Sequence, residues 1–194
     1  IPVEMVQQVQ VKNGVMEAQY GGAMGGVVNA VVRSGSNEWH GQGGFYFNTA
    51  SMSARPRPTL EMDPLDDTRS KVRYFQNVMD DYTTWNPVFN VGGPILKNKL
   101  FLFAGYMPTN TTTNRQVTFL ANDQTGNFTN TYRQQYMTSK VDYAPASKLR
   151  MNMSWIWNPN YNRGSLPDRQ GTSDPSRNWA GLGDYRSGNM ITGQ

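Results

Sequence analysis

Cysteine is missing from the chain, which excludes disulfide staples and thiolate metal centres. Histidine occurs once, as His40, so a serine–histidine–aspartate triad would have to rest on that one ring, and a metal site on carboxylates. Long apolar runs are also missing, and nothing approaches the ~18 residues that a spanning helix needs. No segment longer than three turns repeats apolar residues at three- and four-residue spacing, so helical signals are nearly absent. Charge of one sign is not concentrated: 18 basic residues are scattered among 14 acidic ones for a net +4. No basic run offers a nucleic-acid footprint. The acidic stretch Asp63–Asp67 lacks the glycine and the terminal glutamate of a calcium loop. The expectation is a protein that is not an enzyme, with no catalytic residue, no metal, no cofactor and no nucleic-acid partner.

Aromatics make up 12% of the residues, too many for a disordered chain, although the mean hydropathy is −0.64. What repeats is the period of two that belongs to strands. Leu149, Met151, Met153, Trp155 and Trp157 fall on one face of a segment whose other face carries Arg150, Asn152, Ser154 and Asn158; Ile156 breaks the pattern. Upstream, Met137, Ser139, Val141 and Tyr143 oppose Thr138, Lys140 and Asp142, and the short stretch 144–148 closes a hairpin. Trp85, Phe89 and Val91 likewise oppose Asn86 and Asn90, and Trp39, Phe45 and Phe47 oppose His40, Gln42, Tyr46 and Asn48. A fifth wall segment is the apolar run Leu100–Met107. Two further candidates, 3–11 and 26–34, precede these five wall strands, and a sixth is expected within 179–192.

Connections alternate in length. Long ones are expected between Phe47 and Trp85, through the Thr/Asn-rich stretch after Met107, and through the Pro/Asn/Gly-rich stretch after Trp157; short ones fall at Pro94–Lys99 and at 144–148. An antiparallel sheet with short turns at one end and long loops at the other has this pattern, as outer-membrane barrels do. A soluble sandwich would alternate too, because one apolar face could pack on a second sheet. Aromatics near strand ends and the charged residues Lys140, Asp142 and Arg150 on the polar face favour a barrel with a wet lumen.

The stretch 20–41, with its four glycines between positions 21 and 26, resembles the end of the plug and the first barrel strand of TonB-dependent outer-membrane transporters, in particular their Oar-like branch. Residues 9–21, 90–106 and 136–155 carry further likeness. The resemblance implies an all-β chain: the C-terminal part of a plug domain over residues 1–38, then the first five or six antiparallel strands of a large barrel over 39–194, with short periplasmic turns and long external loops. Such a barrel has about 22 strands, so the chain is expected to be part of a longer one, lacking the energy-coupling box, most of the plug and the closing strand. Gly21, Gly22, Gly25 and Gly26 would shape the plug gate, and Asn29 and Arg33 would face the wall. Trp39, Phe45, Phe47, Trp85, Trp155 and Trp157 would be interfacial aromatics, with Lys140, Asp142 and Arg150 facing the lumen. The implied partners are outer-membrane lipid, the TonB energy-coupling protein (through a part of the chain not present here) and a ligand of oligosaccharide or peptide type, in the bacterial outer membrane. The alternative is a β-rich extracellular structural protein, or a proteolytic fragment, that assembles through its strand edges.

Overall fold

Period-two segments commit a chain to hydrogen-bonded ladders, and the computed structural model, which describes residues 2–12, 27–63, 66–68, 70–76, 79–146 and 148–193, consists largely of them. After a 3₁₀ turn at Val3–Met5 come β1 (Val6–Lys12) and β2 (Val27–Val32), paired antiparallel as a separate two-stranded sheet. Then follow β3 (His40–Thr49), the small hairpin β4 (Thr59–Met62) and β5 (Val72–Phe75), and β6 (Asp81–Leu96). The remainder is β7 (Leu100–Tyr106), β8 (Thr109–Thr118), β9 (Thr125–Gln134), β10 (Met137–Ala146), β11 (Leu149–Trp157), β12 (Asn160–Arg163), β13 (Gly183–Arg186) and β14 (Asn189–Gly193). Strands β3 and β6–β14 form one sheet.

Several of these are halves of longer strands. Phe89 faces Tyr106 while Trp85 faces Asn110, an equal advance on β6 and along β7–β8. The same holds for β10–β9, where Met137 faces Tyr106 and Gln134 faces Thr109, and for β11–β12, where Trp157 faces Met137 and Asn160 faces Gln134. It holds again for β14–β13, where Asn189 faces Trp157 and Arg186 faces Asn160. Backbone bonds bridge each interruption: Met107 N–H to the Tyr136 carbonyl at 2.8 Å, Gln135 N–H to that of Pro159 at 2.9 Å, and Asn158 N–H to that of Gly188 at 3.0 Å. Two of the interruptions hold Pro108 and Pro159, which have no N–H to give. The sheet is therefore a meander of six physical strands, each antiparallel to its sequence neighbour, in agreement with the count read from the sequence.

The third connection differs from expectation. The Thr/Asn-rich stretch after Met107 is not a long loop but the β8–β9 hairpin, closed by a turn over 119–124. Its residues are mostly polar, with only Val117 and Phe128 apolar on the inner face, so little hydrophobic alternation marks it, yet threonine suits an extended backbone. The other two long connections stand: 50–80 carries β4–β5, and 164–182 carries a 3₁₀ turn at Trp179–Gly181. The short connections are 97–99, where Asn98 adopts φ 62°, and the one between Ala146 and Leu149.

The two faces of the sheet differ. Phe45, Phe47, Trp85, Phe89, Val91, Tyr106, Val141, Tyr143, Met151, Met153 and Ile191 all lie exposed on the outer face. A sandwich would need a second sheet there, and the described residues place none. The inner face instead receives the N-terminal segment. Met5 and Val32 form one cluster with Val88, Phe103, Tyr136 and Ile156, with Met107 packed beside it. Met5 and Phe103 are completely buried, worth roughly 1.5–3 kcal/mol each. Ile156, out of pattern in the sequence, is the inner-face residue on which this cluster sits.

Candidate functional site

The seam between the N-terminal segment and the wall is built from small residues that allow contact and polar groups that fix it. Gly105 on β7 leaves room for Met5, since a Cβ there would come within 3.0 Å of the Met5 side chain. Gly35, in the stretch leading from β2 to β3, lies against wall backbone: a Cβ would stand 2.5 Å from the Leu102 carbonyl oxygen and 2.8 Å from that of Gly93. Trp39 covers Gly93 on the outer face, and His40 covers Gly92 on the inner one.

Around these contacts runs a ring of hydrogen bonds. Lys140, buried on β10, donates from Nζ to Ser34 Oγ at 2.9 Å and to the Val32 carbonyl at 3.4 Å, and lies 3.7 Å from Asp142 Oδ1. Arg33 donates from Nε to the Val6 carbonyl at 3.3 Å and from Nη1 to Gln42 Oε1, on β3, at 2.9 Å. Asn90 Nδ2 donates to the Glu4 carbonyl at 3.5 Å, and the Tyr46 hydroxyl donates to the Glu4 carboxylate. Asn37 and Asn98 exchange two bonds, Asn37 Nδ2 to Asn98 Oδ1 and the Asn98 N–H to Asn37 Oδ1, each 2.7 Å. At the short-turn end a cleft of about 520 Å³ opens beside Ser34, Gly35, Asp142 and Arg150.

At the opposite end the long loops are held by a buried carboxylate. Asp80 accepts from Arg115 at both oxygens, Nε to Oδ1 at 2.8 Å and Nη2 to Oδ2 at 2.6 Å, and from Arg169 Nη2 at 2.9 Å. Arg115 Nη1 also donates to the Pro167 carbonyl at 2.6 Å. Burial, the largest single influence, raises the Asp80 pKa, but the bonds and charges of the two arginines together hold it below the ordinary aspartate value. The loop 164–182 is thereby pinned to the wall, with Pro167 fully buried. Gly164 (φ 79°) and Gly171 (φ 77°) lie against the Thr129 and Thr118 carbonyls, where any side chain would collide. The acidic stretch serves a local turn: Asp66 accepts from the Thr68 hydroxyl and from the N–H groups of Lys71, Thr68 and Ser70, which holds its carboxyl well below the usual range.

Of the residues singled out in the sequence, Gly21, Gly22, Gly25 and Gly26 lie outside the described residues. Arg33 reaches a wall strand, whereas Asn29 is exposed and faces Gln10 within the β1–β2 hairpin. Trp39, Phe45, Phe47 and Trp85 are exposed on the outer face. Trp155 and Trp157 share that face half-buried, Trp155 Nε1 donating to Asn189 Oδ1 at 3.1 Å. Lys140, Asp142 and Arg150 share the inner face, the first two at the seam and Arg150 exposed in the adjoining cleft. Sequence reasoning missed Gly35, Asn37 with Asn98, and the Asp80 cluster. A lone glycine in a polar exit stretch and isolated charges carry no periodic signal.

These two faces, one apolar and bare and one holding a folded segment, define an outer-membrane barrel wall. A family model described as "Outer membrane beta barrel domain" matches residues 31–180, and the chain belongs to that family, whose place is the bacterial outer membrane. Among curated relatives, "TonB-dependent transporter Oar" of Myxococcus xanthus is 37% identical over 116 residues, covering 56% of this chain and 9% of that protein. "Ferrienterobactin receptor" of Escherichia coli (strain K12) is 49% identical over 49 residues, 25% of this chain and 7% of that protein. The chain thus spans less than a tenth of the length of either relative. No solved structure matches the chain significantly.

Proposed function

We propose that the chain is the plug end and the first six wall strands of a TonB-dependent transporter, which moves a ligand through a plug-gated barrel. Residues 1–38 are the C-terminal part of the plug and 39–194 the start of the wall. The observation that carries this reading is the packing of Met5 and Val32 onto the inner face while the outer face stays bare and apolar. The names of the two relatives support it. In this reading Gly21, Gly22, Gly25 and Gly26 give the gate its tight turns. Arg33 ties the plug end to β3, and Asn29 is free for a plug contact. Trp39, Phe45, Phe47, Trp85, Trp155 and Trp157 sit against lipid and its interface, and Lys140, Asp142 and Arg150 line the lumen beneath the plug. Energy arrives from the TonB protein through another part of the chain. The ligand is an oligosaccharide or a peptide entering from the long-loop end.

The test is conductance of the full-length protein in planar bilayers. The intact protein is expected to stay closed, and deletion of residues 2–38 to leave a steady pore. A wild-type protein that already conducts, or a deletion that changes nothing, would sink the gating role of this segment.

A further inference from the structure

One rung of the sheet can be followed across the wall just beyond the apolar band. Phe47 faces Trp85, Trp85 faces Asn110, Asn110 faces Arg133, Arg133 faces Tyr161 and Tyr161 faces Tyr185, through β3, β6, β8, β9, β12 and β13. Residues paired across strands share a face, so the whole rung lies on the outer face with Trp85. Phe47, Trp85, Tyr161 and Tyr185 are exposed there, and such aromatics settle at headgroup depth in a membrane. Arg133 therefore lies at that depth, on the lipid side. Arg163 faces Thr131, two residues along β9 from Arg133. It is the diagonal neighbour of Arg133 on the same face, with about 7–8 Å between backbones, one side-chain layer farther from the band.

Both arginines are exposed, and neither makes a hydrogen bond or an ion pair among the described residues. Their neighbours in the sheet are all described: Asn110 and Thr112 on β8, Tyr185 and Gly183 on β13. Gly183 stands directly opposite Arg163 and has no side chain to cover it. The only carboxylate on β8, β9, β12 and β13 is Asp184; it faces Asn162 on the inner side and pairs with Arg186 at 3.1 Å. Asp81, an acid on the outer face, stands on β6 opposite Asn114, farther out and with β8 between it and Arg133. We propose that Arg133 and Arg163 form a docking surface for the anionic phosphate headgroup of an outer-leaflet lipid. Guanidinium forks match phosphate oxygens bidentately, and the methylene stems can lie along apolar surface while the charged heads reach the headgroups. Depth decides the source of the phosphate, because a rung within the aromatic belt meets lipid headgroups rather than bulk solution. The long-loop end is the external one, so the leaflet is the outer one. The inference uses only the place of the wall in the outer membrane and goes beyond transport.

The experiment is native mass spectrometry of the full-length protein in detergent, titrated with dioleoyl phosphatidic acid and, separately, with dioleoyl phosphatidylcholine, whose phosphate is capped by a cation. Inorganic phosphate is the competitor. Phosphatidic acid is expected to bind the more tightly, with Arg133→Ala and Arg163→Ala each weakening it about tenfold. Arg57→Ala, which removes an exposed cation from the 50–80 connection, is expected to leave binding unchanged. The heat-modifiable band on electrophoresis shows that each variant is folded. Equal affinity for the two lipids, binding indifferent to both outer-face variants, or displacement of the lipid by an equal concentration of inorganic phosphate would each overturn the proposal. A pore that ignores deletion of residues 2–38 counts against gating alone and leaves lipid docking standing.

Discussion

A methyl group added at Gly35 would sit 2.5 Å and 2.8 Å from two wall carbonyl oxygens, neither of which can move without disturbing the β6–β7 ladder. Gly35→Ala is therefore expected to lower stability by about 2–4 kcal/mol, read as an earlier loss of the compact, heat-modifiable band of the full-length barrel on electrophoresis. Asp80 bears on acid sensitivity. Its folded-state pKa is depressed, so its contribution is present above the unfolded value and is lost as pH falls through the folded one. The loop 164–182 is expected to resist proteolysis through mildly acidic pH and to open only below the ordinary aspartate pKa of about 3.9. Asp80→Asn would leave the loop readily cleaved at neutral pH; equal cleavage of variant and wild type would refute the clamp. Little of this was legible beforehand. Asp80, Arg115 and Arg169 are far apart in sequence, and only the folded loop brings them together.

Along β7–β8, β9–β10 and β11–β12, composition changes at the interruptions that hold Met107–Pro108, Gln135–Tyr136 and Asn158–Pro159. On one side the outer face is aromatic and aliphatic; on the other, in β8 and β9, both faces are rich in Thr, Asn and Gln. The pairing register passes through unchanged, so the same strands leave an apolar band and continue into water. A cation on the outer face should discriminate the two parts: Val141→Arg is expected to cost about 2–4 kcal/mol and Thr112→Arg no more than about 1, measured by reversible unfolding in lipid. Equal costs would refute the boundary. The apolar half was legible because burial against lipid imposes alternation; the polar half was not, because its outer face meets water and its inner face is covered largely through polar contacts such as those of Arg115, which leave little hydrophobic period to display.

Six strands make a sheet with two open edges, one along β3 and one along β13–β14, and unpaired backbone groups cannot be left in hydrocarbon. Residues 39–194 expressed alone are thus expected to aggregate and give no heat-modifiable band, whereas the full-length chain inserts and does; a soluble or inserted monomer of the segment would contradict this. By itself the sequence determined the class of element, the number of wall strands and which face of each apolar segment is which, since these follow from a local period of two and from turn residues. The tertiary structure alone decided that the Thr/Asn-rich stretch is strand, that Ile156 is not a flaw in the pattern but a seat for Met5 and Val32, and that Gly35 must be glycine. Each of these depends on what the residue meets across the fold, and pairing partners and close approaches between distant segments leave no trace in a local pattern.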